Sequence, residues 1–156
     1  MIKIICVGKI KDNNLSKLIE KYLLRIQPFS KIKIVEIPDL SEKSKESENF
    51  IVIDKESEKI IEQLESKCYN ILLDLQGRQI DSIDLANKIR EINTYSSSDI
   101  NFIIGGSLGV NDKLRNLVDY RLKISDMTFP HQLVRLIVLE QIYRAYKINN
   151  NQNYHK

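Results

Sequence analysis

The sequence predicts an α/β fold on a mostly parallel sheet with helices on both faces. Three observations carry that expectation. Short Ile- and Val-rich runs alternate with amphipathic stretches of helical length. The runs are continuous rather than alternating, as in strands buried on both faces. Gly, Pro or polar turns punctuate them.

Ile2 to Val7 reads as the first strand, ended by Gly8. Leu15, Leu18, Ile19, Tyr22, Leu23 and Ile26 then recur at helical spacing, and Pro28 ends that helix. Lys31 to Ile37 is a second strand closed by Pro38, and Asp39 to Asn49 is a polar linker. Phe50 to Ser66 is ambiguous: Phe50 to Ile53 would suit a strand, whereas Ile53, Ser57, Ile60, Ile61 and Leu64 favour a helix over most of it. Tyr69 to Leu75 is the third strand and Gly77 turns the chain. Ser82 is placed to cap a helix striped by Ile83, Leu85, Ala86, Ile89 and Ile92. Asp99 to Ile104 is the fourth strand, Asn111 to Tyr120 a short helix and Arg121 to Ser125 a fifth strand. A long helix starts near Pro130.

At 156 residues the chain is expected to be a single domain, residues 1–156, with one active site. Hydrophobic content of 42% and charged content of 29% argue against disorder or a membrane class. No apolar run approaches the length of a bilayer span and none resembles an export signal, so the cytoplasm is the expected location. Cys6 and Cys68 lie in apolar runs read as strands, with no second cysteine at metal or redox spacing, and are expected to be buried thiols. Twenty-four basic residues face 21 acidic ones, a net charge of +3 that permits a nucleic-acid partner without demanding one. Arg135, Arg144, Lys147, His155 and Lys156 cluster near the C-terminus, where a polyanion would meet the chain.

Two loops can hold a ligand. Gly105-Gly106-Ser107-Leu108-Gly109 follows the fourth strand, where ligands of such sheets sit, and its glycines let backbone approach a bound molecule. It has neither dinucleotide-fingerprint nor P-loop spacing, and it also reads as a plain strand-to-helix turn. Ile124-Ser125-Asp126-Met127-Thr128-Phe129 could cradle an adenine, or could simply cap the last helix through Asp126 or Thr128. In that helix Val138, Ile142, Tyr146, Leu139, Tyr143 and Leu136 make a broad apolar face, more than one small domain is expected to cover. His131 and Arg135 project into its apolar sector. His131 suits a satisfied core histidine as well as a catalyst, whereas a buried Arg135 needs a phosphate, an acid from another subunit or a substrate carbonyl. Arg144 and Lys147 read as a solvated face. The ending Tyr154-His155-Lys156 follows a flexible approach, Asn149 to Asn153.

The runs Leu73-Asp74-Leu75-Gln76-Gly77 and Phe102 to Gly109, the segment Met127 to His131, the stretch Tyr143-Arg144-Ala145 and the terminal Tyr154-His155-Lys156 together resemble the bacterial large-subunit ribosomal RNA pseudouridine N3-methyltransferases of the SPOUT superfamily, across the whole chain. The resemblance implies a homodimer whose C-terminal region forms a deep trefoil knot, a rare exception among folds. It implies S-adenosylmethionine, and no metal, held by Leu73, Gly105 and the segment Ile124, Ser125, Asp126, Met127, Thr128 and Phe129. Asp126 departs from the lysine or small residue common in the family. The implied substrate is 23S ribosomal RNA in the large subunit or the 70S ribosome. On this reading His155 accepts the N3 proton, with His131 the alternative. Arg144 holds the base or its phosphate, and Tyr154 stacks on the base. Arg135 and Lys156 join the RNA contacts, and His131 and Arg135 organise the pocket. The rivals are a ribosome-binding module without catalysis and a small-metabolite enzyme.

Overall fold

The computed structural model describes residues 1–154. In chain order the elements are β1 (Ile2–Val7), α1 (Asn13–Ile26), β2 (Ile32–Ile37), α2 (Asn49–Ile61), β3 (Tyr69–Gln79), α3 (Ser82–Glu91), β4 (Ile100–Ile104), α4 (Asp112–Leu117), β5 (Tyr120–Lys123) and α5 (His131–Asn149). The strands form one sheet in the order β2-β1-β4-β3-β5, and every pairing is parallel. The α/β expectation therefore holds, with a sheet more uniformly parallel than foreseen. Among the described residues no helix is long and apolar enough to cross a membrane.

Strand alternation divides the apolar runs between two cores. Ile2, Ile4 and Cys6 of β1 join Phe102, Ile104 and Ile71 beneath α1, α3 and α5, whereas Ile5 and Val7 join Leu72, Ile103, Ile60 and Leu114 beneath α2 and α4. Helix starts are set by polar caps. Asp12, Asp81 and Asn111 each accept an amide from three residues on, at 2.7, 2.7 and 3.0 Å. Asp81 thus caps α3 in place of Ser82, because Asp81 has the extended backbone of a cap. Ser82 is instead the first helical residue, and its hydroxyl donates to Gln141 Oε1 of α5 at 2.6 Å.

Several boundaries differ from expectation for local reasons. Residues 50–61 are helical, so the strand alternative fails there, and the chain turns after Ile61 rather than near Ser66. Cys68 is buried in the bend before β3, outside any strand, and only Cys6 is a strand residue. Burial pushes the Cys6 thiol up to about 12, against the opposing pull of Arg135. The apolar face of α5 is covered in cis: α5 packs between α1 and α3, and Val138, Leu139, Ile142 and Ala145 are all buried. Its apolarity by itself therefore calls for no second subunit.

Candidate active site

Because β4, β3 and β5 are neighbours and run in one direction, the segments leaving their carboxyl ends meet over one edge of the sheet. They enclose a cleft of about 520 Å³, a size suited to a nucleoside-bearing ligand.

The first wall is an excursion of β3. Leu73 and Arg78 both stand opposite Leu122 of β5, so Asp74 to Gly77 bulges out of the ladder between them. Gly77 is required there, since a Cβ would lie 2.6 Å from the Arg121 carbonyl carbon and oxygen. Asp74 braces the bulge by accepting the Gln76 amide at 2.9 Å and the Arg121 and Arg115 guanidiniums at 2.9 and 3.2 Å. Burial opposes ionisation of Asp74, but the Gln76 amide, Arg121 and Arg115 outweigh it and hold the carboxyl below the usual range.

The glycine loop makes the second wall. Gly106 and Gly109 close on one another as an isolated bridge, and Gly109 adopts φ +86° with nothing within 4 Å of its Cβ position. Beneath Gly106 lies Glu56 of α2, only 1% exposed, whose Oε2 would sit 2.6 Å from a Cβ at that position. Its Oε1 accepts the Leu40 amide at 2.8 Å, and Oε2 has no hydrogen-bond partner among the described residues. Burial pushes this carboxyl up despite the Leu40 amide.

The third wall is the loop from β5 to α5. Ile124, Ser125, Met127, Thr128 and Phe129 line the cleft, as do Leu73 and Gly105, so seven of the eight expected ligand residues converge. Asp126 is the exception. Its side chain turns outward, away from the cleft, to accept Lys123 Nζ at 2.6 Å and is 86% exposed. Nor does Asp126 or Thr128 cap α5: Pro130 occupies that position, and its carbonyl takes the Leu133 and Val134 amides. Exposed Leu75, Met127 and Phe129 stand at the mouth, apolar surface that a flat ring would cover.

His131 lines the same cleft. Its Nε2 lies 3.2 Å from the Cβ position of Gly8, with Asp39 Oδ2 3.6 Å from that same point. The Ser41 hydroxyl and amide bond Asp39 Oδ1, and the Ser41 hydroxyl also meets that of Ser107 at 3.2 Å, joining this carboxylate to the glycine loop. Burial alone would raise Asp39, yet Ser41 and the nearby His131 hold it low. Arg135 is not in the cleft. It is 1% exposed, donates to Glu36 Oε1 at 2.7 Å and to the Gly8 carbonyl at 2.8 Å, and so finds its acid within its own chain. Its assignment as an RNA contact is corrected accordingly: a guanidinium sealed under β1 and β2 supports the pocket from below.

Arg144 and Tyr154 lie at the far end of α5. Thirteen residues of helix separate Arg144 from His131, about 20 Å at 1.5 Å per residue. Arg144 is not a solvated cation, for it donates twice to Glu140 Oε1 and sits 4.8 Å over the Tyr154 ring. The approach to the tail is a capped turn: Asn151 takes φ 52°, and the amides of Asn151 and Gln152 bond the Ile148 and Lys147 carbonyls. His155 and Lys156 lie outside the described residues.

From sequence, Asp74 and Gln76 stood out only within the run Leu73 to Gly77, and Arg115, Arg121, Asp39 and Glu56 were given no place at the site. Glu56 left a signal, since it lies one turn before Ile60 on a face otherwise apolar, as His131 and Arg135 do in α5. The two arginines that hold Asp74 left none, because their meeting depends on the sheet order.

A family model described as "Predicted SPOUT methyltransferase" matches residues 1–155. The chain belongs to the SPOUT methyltransferase family. This SPOUT methyltransferase is 49% identical over 160 residues to the Ribosomal RNA large subunit methyltransferase H of Malacoplasma penetrans, with 99% of each chain covered. It is 47% identical over 156 residues to the protein of that name from Fusobacterium nucleatum, again with 99% of each covered. In structure it is similar to a probable methylase family protein from Haemophilus influenzae, with a TM-score of 0.56, 14% identity, and coverage of 99% of this chain and 70% of that one. At 14% identity the likeness speaks for the fold of this SPOUT methyltransferase, and its three-walled cleft is the place in that fold where the chemistry is to be sought.

Proposed function

We propose that the protein methylates N3 of a pseudouridine in 23S ribosomal RNA on the assembled large subunit or ribosome, in the cytoplasm, with S-adenosylmethionine as donor. The observation that carries this reading is the convergence of the three loops on one cleft in a SPOUT methyltransferase chain whose relatives are named as ribosomal RNA large subunit methyltransferases. The residues fit the donor. The Gly105 to Gly109 backbone, the Ser125 and Thr128 hydroxyls and the apolar Leu73, Ile124, Met127 and Phe129 offer polar and apolar surface together. Bound there, the donor supplies an electrophilic methyl carbon.

The protein's part is to orient the acceptor and manage its proton. The N3 imide is protonated at neutral pH, so a base must take the proton as the new N–C bond forms and the methyl–sulfur bond breaks, its electron pair staying on sulfur. His155 is proposed for that step, with His131 the alternative, Arg144 holding the base or its phosphate, and Tyr154 and Lys156 contacting the RNA. His131 already lines the cleft, whereas Arg144 and Tyr154 are about 20 Å along α5 from it. One subunit cannot unite them, so each site is proposed to combine the cleft of one copy with the tail of another in a homodimer. The trefoil knot implied by the family belongs to the same proposal.

Transfer of labelled methyl from the donor, measured on intact ribosomes and on free ribosomal RNA, tests the reading. Label in ribosomal RNA at a pseudouridine N3 is expected; label elsewhere, or none, overturns it. Donor at ~100 Kd should add about 2.7 kcal/mol to unfolding stability, and no change would favour a binding module instead. Full activity in His155→Ala would remove His155 from the proton step.

A further inference from the structure

We propose that Glu140 is the positioning residue of the C-terminal tail: its carboxylate ties Arg144 and Tyr154 into one unit and sets the point from which the tail continues. The inference rests on the proposed role of those two residues in holding the nucleobase. Glu140 is half-buried on α5, one turn before Arg144. Its Oε1 accepts Arg144 Nε at 2.8 Å and Nη2 at 2.6 Å, which leaves Oε2 for the Tyr154 hydroxyl at 3.0 Å. The Tyr154 ring is then enclosed, with the Arg144 guanidinium 4.8 Å over it and Tyr143 edge-on at 4.9 Å.

An exposed glutamate–arginine pair one turn apart contributes little to a helix. This pair has a third member fourteen positions away in sequence. Asn151, in the left-handed region at φ 52°, is what reverses the chain to bring Tyr154 there. A third group faces the same carboxylate from α1: the Tyr22 hydroxyl is pushed up to about 12, by burial first and then by Glu140. One carboxylate therefore organises groups from α1, α5 and the tail. Gln at this position keeps the size but loses the charge that holds Arg144, and it puts a donor NH2 where Oε2 now accepts the Tyr154 hydroxyl.

The test uses full-length Glu140→Gln, Tyr154→Phe and the double variant. Each single change is expected to lower kcat on ribosomes about tenfold while leaving donor affinity unchanged, which also reports an intact fold. If the two residues act as one unit, the double variant falls no more than about twofold below the weaker single one. Carboxypeptidase trimming of the tail, followed without RNA, should quicken in Glu140→Gln. Multiplying losses in the double variant, near-normal kcat in Glu140→Gln, or unchanged trimming would each overturn the proposal. Should the wild type transfer no methyl group, the proposed function fails, and trimming alone decides whether Glu140 anchors the tail.

Discussion

Arg135 and Glu36 stand ninety-nine positions apart in sequence and meet at 2.7 Å beneath the candidate site, the guanidinium also reaching the Gly8 carbonyl. The pair joins the start of α5 to the end of β2, and the Gly8 contact brings in the end of β1, so the helix that carries His131 is fixed to the sheet by charge as well as by packing. Arg135→Ala would leave the carboxylate and the carbonyl without their donor. Glu36 is one-third exposed, so water can take over part of its loss. The expected cost is about 2–3 kcal/mol, read as a lower urea midpoint with unchanged slope. Arg135→Lys, which keeps a charge but not the two-pronged reach, should lose less.

Glu56 gives a pH dependence with a definite sign. Its folded-state pKa is raised by burial, so the neutral carboxyl is favoured in the native protein. The native state then holds more protons than the unfolded one between the two pKa values, and stability falls as pH rises through the folded value. Glu56→Gln removes that loss. The variant should be more stable than wild type at pH 7 by about 1 kcal/mol, with the gain gone below the ordinary glutamate pKa of about 4.3. Thermal melts across that range check it; a gain that persists at low pH would contradict the assignment.

Gly77→Ala tests the bulge. Its Cβ would strike the Arg121 backbone at 2.6 Å, where no rotamer change can relieve it. Separation of β3 from β5 should cost about 2–4 kcal/mol and weaken donor binding, because Asp74 to Gln76 form a wall of the cleft. Gly109→Ala meets no atom within 4 Å and should show only the cost of its positive φ, about 1–2 kcal/mol. Calorimetric melts and donor titration of the two variants distinguish a clash from a strained backbone.

Asp126→Ala should leave donor affinity within about twofold of wild type, since the side chain faces Lys123 and solvent rather than the cleft. Isothermal titration with the donor measures this directly. A tenfold change would mean that the acid reaches the ligand after all.

Element type, and which loops come to line the cleft, were legible from residue order because they rest on local rules. Continuous Ile and Val runs mark strands buried on both faces, Pro28 and Pro38 end elements, and three glycines after β4 free a backbone to approach a ligand. The misplacement of His131 and Arg135 within an apolar helix face was visible too, since helical spacing is a property of the sequence alone. What answers each of them was not visible. Glu36 as partner of Arg135, Asp39 beside His131, Arg115 and Arg121 on Asp74, and Glu140 as holder of Tyr154 are pairings across 14 to 99 positions. Glu140 and Tyr154 meet through the chain reversal at Asn151, and the other pairings exist only once the strand order β2-β1-β4-β3-β5 is set. That order is settled by how the two faces of the sheet bury their side chains together, a property of the whole packed core rather than of any segment. The sequence by itself determined the kinds of element and the chemistry available at the ends of its strands. The tertiary structure decided which charges were neutralised, turning Arg135 into a buried brace and Asp126 into a surface ion pair. It also set His131 at the cleft beside Asp39, because a charge is buried only where a partner of opposite charge or a hydrogen-bonding group arrives from elsewhere in the chain.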